Sequence, residues 1–270
     1  MRGILRKEVN FGCPVKECGR PCLKFHHFDP PWEKQHHHNP EGMIALCAVH
    51  HDYADGHRYT NEQLRQMKEN PFITKQSIRE NYGYLRVNTV CNIGNLAYNV
   101  RNILEINGER AIGFEKDEDG FFRLNLLLRN SQGLEIFKME NSDWIANTGD
   151  LYDLNCTARG REITILSRDR QTQIRMRFED FTQNEFQKKF VNDGWGVGTI
   201  QRFLSHIGSP QQIPVWSVSG WLRWKNRVIT IQRSKIIERF DDGGTNVISG
   251  NTFINWPSAF SISEEEISVG

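Results

Sequence analysis

The sequence predicts an α+β fold: a small Cys- and His-rich domain over residues 1–59, a helical linker over residues 60–85, and a mostly β domain over residues 86–270, built as a sandwich, a barrel or a β-solenoid. Three observations carry this reading. Eight of the nine histidines lie between His26 and His57, and four of the six cysteines between Cys13 and Cys47. Thr60 and Gln63 stand at capping-box spacing ahead of Leu64 and Met67, which share a helical face, and Asn70-Pro71 ends that helix. Beyond Arg86, apolar residues alternate with polar ones in short segments separated by turn residues, as half-buried strands do.

Composition narrows the classes. A chain of 270 residues is comfortable for two domains, at roughly 100–200 residues each. Lys and Arg number 34 against 33 Asp and Glu, so no global polycation is present to hold nucleic acid by charge alone. With 38% hydrophobic residues, 16 Phe and 7 Trp, the chain is too aromatic to be disordered. No apolar run reaches the ~18 residues of a spanning helix, and the first residues, MRGILRKEVNFG, lack a continuous apolar stretch. The expected location is cytoplasmic, with no membrane partner.

Taken in order, Leu23–Phe28 alternates as a strand, Asp29-Pro30-Pro31 breaks it, and Met43–Leu46 forms a second strand. A helix then begins near His51, and His51 and Asp55, one turn apart, share a face. After the capped helix, a second amphipathic piece is expected through Ile78 to Tyr84. Ile103–Ile106 runs into Asn107-Gly108, a strong hairpin signal, and Asp119-Gly120 and Gln132-Gly133 punctuate Phe121–Leu128 and Leu134–Phe137. Ile163/Ile165 and Ile174/Met176/Phe178 alternate; Asn184–Val191 reads as a helix. Gly194–Gly198 lacks the Lys-Ser/Thr of a phosphate loop and reads as a turn beside Trp195. Strands return at Val215–Trp224, Val228–Gln232 and Asn246–Ile254, and Ser263–Gly270 is expected to be a solvated end.

The concentrated Cys and His point to metal, since a disulfide scaffold favours short secreted chains. Cys13-x4-Cys18 and Cys47-x2-His50 are two short knuckles about thirty residues apart, the way a tetrahedral structural zinc site is assembled. Cys22 competes with Cys13, because Cys18-x3-Cys22 also fits; it is otherwise expected to be a half-buried free thiol, and Cys91 and Cys156 small buried residues. Adjacent strand residues point to opposite faces, so His26 and His27 can serve one site only at a strand end, where Asp29-Pro30-Pro31 places them. Strand, loop, strand and helix would gather His26, His27, His51 and Asp55.

The segment HHF, then NPEGMIALC, then Cys47-x2-His50-His51 entering a helix resembles the HNH (ββα-metal) endonuclease family over residues 11–59. The resemblance implies a divalent-metal-dependent nuclease that hydrolyses phosphodiester bonds of nucleic acid, with double-stranded DNA the first expectation. His27 would be the general base, and His26, His51 and Asp55 the ligands of the catalytic cation. The oxygen ligand Asp55 favours Mg or Mn over Ni or Zn. The family's middle Asn, which fixes the loop carrying the base, falls at Gly42; Asn39 or His38 could substitute, and His37 or His38 could also stand near the site. Trp32 is expected to pack that loop onto the small domain. The chemistry suits these residues independently: an imidazole takes a proton from water at neutral pH, and a cation neutralises the phosphate.

The larger domain offers weaker signals. Trp216, Trp221 and Trp224 interleave with Arg223, Lys225, Arg227 and Arg233, a pattern that could track a nucleic-acid backbone or be one buried and one solvated face of a strand. Target recognition, a homo-oligomer interface or a trigger-binding role are the expectations for this domain, and restriction or anti-phage defence is the context the family suggests. The rival is a zinc-stabilised scaffold or nucleic-acid-binding protein without activity.

Overall fold

The computed structural model describes residues 1–72, 78–81, 83, 86–157, 159–255, 258–262 and 267–269. The amino-terminal unit consists of α1 (Arg2–Glu8), β1 (Leu23–His27), β2 (Met43–Cys47), α2 (Ala48–Asp55) and α3 (Asn61–Glu69). β1 and β2 pair antiparallel, with Leu23 opposite Cys47 and His27 opposite Met43. Every residue of β2 is buried, since α1 and α3 both pack on it. α3 starts as its sequence predicts, with Gln63 N–H donating to the Thr60 hydroxyl (3.2 Å) and Thr60 N–H donating to the Gln63 side chain (2.9 Å). Leu5, Val9, Phe28, Ile44, Leu46 and Leu64 form its core together with Cys13 and Cys47.

The remainder is mostly strand: β3 (Ile78–Asn81), β4 (Val90–Asn92), β5 (Leu96–Tyr98), β6 (Asn102–Ile106), β7 (Glu109–Lys116), β8 (Phe122–Arg129), β9 (Glu135–Glu140), β10 (Asp143–Ala146), β11 (Leu151–Cys156), β12 (Glu162–Ser167) and β13 (Gln173–Phe181). Two helices follow, α4 (Gln183–Asn192) and α5 (Val197–His206), then β14 (Ile213–Trp224), β15 (Arg227–Ile231), β16 (Lys235–Phe240), β17 (Thr245–Ser249), β18 (Thr252–Ile254), β19 (Ser258–Ile262) and β20 (Ile267–Val269). One sheet has eight strands in the order β20-β19-β6-β7-β8-β9-β10-β3. The other has ten: β11 to β17 in sequence order, with β4 on β14, β5 on β4 and β18 on β5. The inner residues of both sheets belong to one apolar core, and Phe114 meets Trp216 across it at 5.0 Å. Of the three architectures expected, this layered arrangement is the sandwich.

Several expectations change. Among the described residues of the linker, helix covers only Asn61–Glu69; Ile78–Asn81 is an edge strand on β10, because Ile78 is fully buried in the sandwich core. Tyr84 lies outside the described residues. Gly194–Gly198 is not merely a turn, since Gly196 caps α5. That helix pairs with α4, and Phe186, Phe190, Ile200 and Phe203 cover Val90, Leu96 and Val215. Cys22 is not free and Cys156 is not merely small: the two form a disulfide across 134 residues of sequence. Together with the Arg6–Asp153 ion pair (Nε to Oδ1 2.9 Å) and Lys7 over the Tyr152 ring at 3.5 Å, it fixes the amino-terminal unit to β11, the edge of the larger sheet. Among the described residues no helix is long and apolar enough to cross a membrane.

Asp169, in the turn between β12 and β13, ties the two sheets together at one end. Its carboxylate accepts from the Ser167 hydroxyl (2.5 Å) and the Gln171 N–H (2.9 Å), and from the N–H (3.0 Å) and hydroxyl (2.7 Å) of Ser131 in the β8–β9 turn. Burial alone would raise its pKa, but these bonds outweigh burial and hold it at about 2. The resulting stabilisation is complete above the ordinary value of 3.8 and is lost as pH falls through about 2. Discounted for exposure, it is worth about 1 kcal/mol. Urea midpoints of wild type and Asp169→Asn should differ by that much at pH 5 and converge near pH 2; a constant gap would refute the linkage.

Candidate metal centre

Two clusters of metal-ligating atoms lie on the β1–β2–α2 unit, one closed and one open. In the first, the Sγ atoms of Cys13, Cys18 and Cys47 and a ring nitrogen of His50 all lie within 4.8 Å of one another. His50 Nδ1 is 3.2 Å from Cys13 Sγ and 3.4 Å from Cys47 Sγ, and Cys18 Sγ is 3.7 Å from Cys47 Sγ. The first knuckle is closed by Cys13 N–H donating to the Arg20 carbonyl and Gly19 N–H to the Cys13 carbonyl. The second forms where β2 ends and α2 starts, Cys47 being the helix N-cap.

The three thiols interact through hydrogen bonds. Cys47 is drawn down to about 4, chiefly by its hydrogen bond with Cys13, with help from Cys18 and His50. Cys13 is pushed up by the same bond and by burial. A set of three thiols and one imidazole, half of it fully buried, can hold a metal ion, and its donor chemistry is compatible with structural zinc. Cys22, the competing ligand, is excluded by its bond to Cys156.

The second cluster is His26 from the end of β1 and His51 and Asp55 from α2. Asp55 Oδ1 is 2.9 Å from His26 Nδ1, and Oδ2 is 3.0 Å from His51 Nδ1. The second contact lacks hydrogen-bond geometry, so His51 Nδ1 is buried with no hydrogen-bond partner in the protein. The ligating atoms of all three residues lie within 4.8 Å of one another, and this set can hold a metal ion. Burial lowers the His26 pKa, while the hydrogen bond and charge of Asp55 oppose the shift. A neutral imidazole is the form that ligates.

A groove of about 580 Å³ runs past this open cluster, with His27 and Trp32 on its wall. His27 Nε2 has no hydrogen-bond partner in the protein. Its pKa is lowered, first by burial and then by the charge of His37, while a hydrogen bond to the His37 backbone works the other way. The loop between β1 and β2 is held from several sides. His37 Nε2 donates to the Pro30 carbonyl at 2.8 Å while its Nδ1 accepts from Asn39 N–H at 3.1 Å, which puts the ring proton on Nε2. α3 holds the loop from outside, with Arg65 on Asp29 and Lys68 donating to the Pro40 carbonyl at 2.5 Å.

Gly42 cannot carry the side chain that the resemblance places there. A Cβ would come within 1.8 Å of the Asp29 carbonyl oxygen, where the Gly42 carbonyl already accepts from Phe28 and Asp29 N–H. Neither Asn39 nor His38 makes the tie across the loop: Asn39 Oδ1 caps the 3₁₀ turn by accepting from Glu41 N–H, and His38 lies beside Trp32. His37 makes it.

Sequence reasoning missed Trp32, which is 41% exposed rather than packed on the small core. The expected basic track on the sandwich breaks up as well. Arg227 is buried against Glu238 at 2.6 Å, and both guanidinium nitrogens of Arg223 engage Asp241 (Nη1 to Oδ1 2.8 Å). Lys225 stands at the tip of the turn between β14 and β15, in a left-handed conformation at φ 50°. Compared with protein-family models, with curated proteins and with solved structures, the chain matches none of them.

Proposed function

We propose that this chain is a divalent-cation-dependent nuclease of the HNH (ββα-metal) kind that hydrolyses phosphodiester bonds of DNA. The observation that supports the reading best is the open His26/His51/Asp55 cluster with His27, whose Nε2 has no protein partner, on the wall of the same groove. Three protein donors leave room for solvent and substrate oxygens, whereas the closed Cys13/Cys18/Cys47/His50 set leaves none.

In this reading His26, His51 and Asp55 hold a cation that, when bound, offsets the phosphate charge and assists the leaving oxygen. The Asp55 carboxylate suits Mg or Mn. His27 accepts a proton from the attacking water at Nε2; burial keeps its pKa low, so the ring is neutral and receptive at pH 7. His37 fixes the loop that carries His27, the part the family gives to an Asn. Cys13, Cys18, Cys47 and His50 hold a structural zinc.

The test is cleavage of supercoiled plasmid with added Mg, Mn, Ni or Zn. Nicking should need an added cation, stop with EDTA and disappear in His51→Ala. Cleavage that persists in EDTA, or none with any cation, overturns the reading.

A further inference from the structure

Resting on the nuclease reading, we infer that Trp32 is a stacking site for a nucleobase next to the scissile phosphate, and that the preferred substrate therefore has an unstacked base there. Trp32 is 41% exposed on the wall of the groove that holds His26, His51 and Asp55. The loop that carries it is pinned through His37, Arg65 and Lys68, so the ring is presented rather than loose.

Flat rings surround it. His36 lies nearly parallel to Trp32, with centroids 4.3 Å apart and planes 17° apart, and His38 stands at 5.6 Å and 27°. On the side of the cluster, the His27 ring is 4.7 Å away at 48°. An exposed indole continued by an imidazole is a platform for a planar heteroaromatic ring. A phosphodiester placed for attack beside His27 brings such a ring with it, because a base is attached one sugar away from each phosphate.

Inside an intact duplex both faces of a base are already covered by its neighbours, so a base can stack on Trp32 only when it is unpaired or swung out. The substrate class this assigns is single-stranded DNA, or duplex locally opened at the cut. That narrows the double-stranded expectation of the sequence.

The platform is tested by binding, independently of cleavage. Fluorescein-labelled single-stranded oligonucleotides, one carrying bases and one of equal length made wholly of abasic residues, are titrated by anisotropy with no divalent cation added. Wild type should bind the base-bearing strand about 10–100-fold more tightly than the abasic one, the range expected for one or two stacked bases. Trp32→Ala should lose most of that preference and Trp32→Phe should keep it, with zinc content unchanged in both. Equal affinity of wild type for the two strands, or an equal loss on both in Trp32→Ala, overturns the platform, and intact cation-dependent plasmid nicking would show that the nuclease reading stands without it. A Trp32-dependent preference in a protein that cuts nothing would uphold the platform and overturn the nuclease reading.

Discussion

His27→Ala should lower cation-dependent cleavage by about 10²–10⁴-fold, the usual worth of a positioned general base, while leaving the metal content unchanged. The geometry separates the two roles. His26 is engaged with Asp55, whereas His27, which lines the same groove, has a buried nitrogen with no protein partner. The loop that follows it is also tied by His37 and α3, so removing the ring leaves those ties in place. Single-turnover rates on plasmid, with bound cation measured by calorimetry, decide the matter. Added imidazole should restore part of the rate. A variant that keeps the wild-type rate, or that loses the cation together with the rate, rules out the base role.

Zinc removal should have the other large effect, and on structure. In the amino-terminal unit Cys13 and Cys47 are members of the apolar cluster, so the ligands are themselves core residues. Units this small rarely draw more than about 3–5 kcal/mol from an apolar core alone, and structural zinc in zinc-finger peptides supplies about 10–16 kcal/mol of apparent binding energy. Cys47→Ala should remove zinc at a stoichiometry of one per chain and strip amide-exchange protection from β1, β2 and α2. Strands β12 to β14, in the separate sandwich core, should stay protected. Unchanged protection across the amino-terminal unit in the zinc-free protein would mean that its apolar contacts suffice.

What was legible in the sequence follows the range of the interactions. The closed cluster could be read because each knuckle is local, and His51 and Asp55 because a helix puts residues four apart on one face. α3 could be read because its cap lies within four residues. The Cys22–Cys156 bond could not, since its partners are 134 residues apart and join two different units. Arg227 looked like a surface cation because nothing nearby in sequence reveals Glu238, which arrives from the next strand but with both side chains turned inward. The parallel pairings of β4 with β14, β5 with β18 and β6 with β19 link distant parts of the chain and leave no local pattern. Gly42 read as a missing Asn; in the folded loop it is the position where the backbone passes closest to Asp29, and no side chain fits.

The seam between α1 and β11 has a consequence for where a cut can fall. A disulfide, a bidentate ion pair and a cation–π contact join the groove-bearing unit to one edge of the sandwich. Fastened at three points, the two units cannot swing independently, so the groove keeps a constant offset from every surface of the sandwich. In the proposed nuclease, any grip the sandwich took on a strand of DNA would act as a measurement: the strand would be severed a set number of nucleotides from the point where it was held.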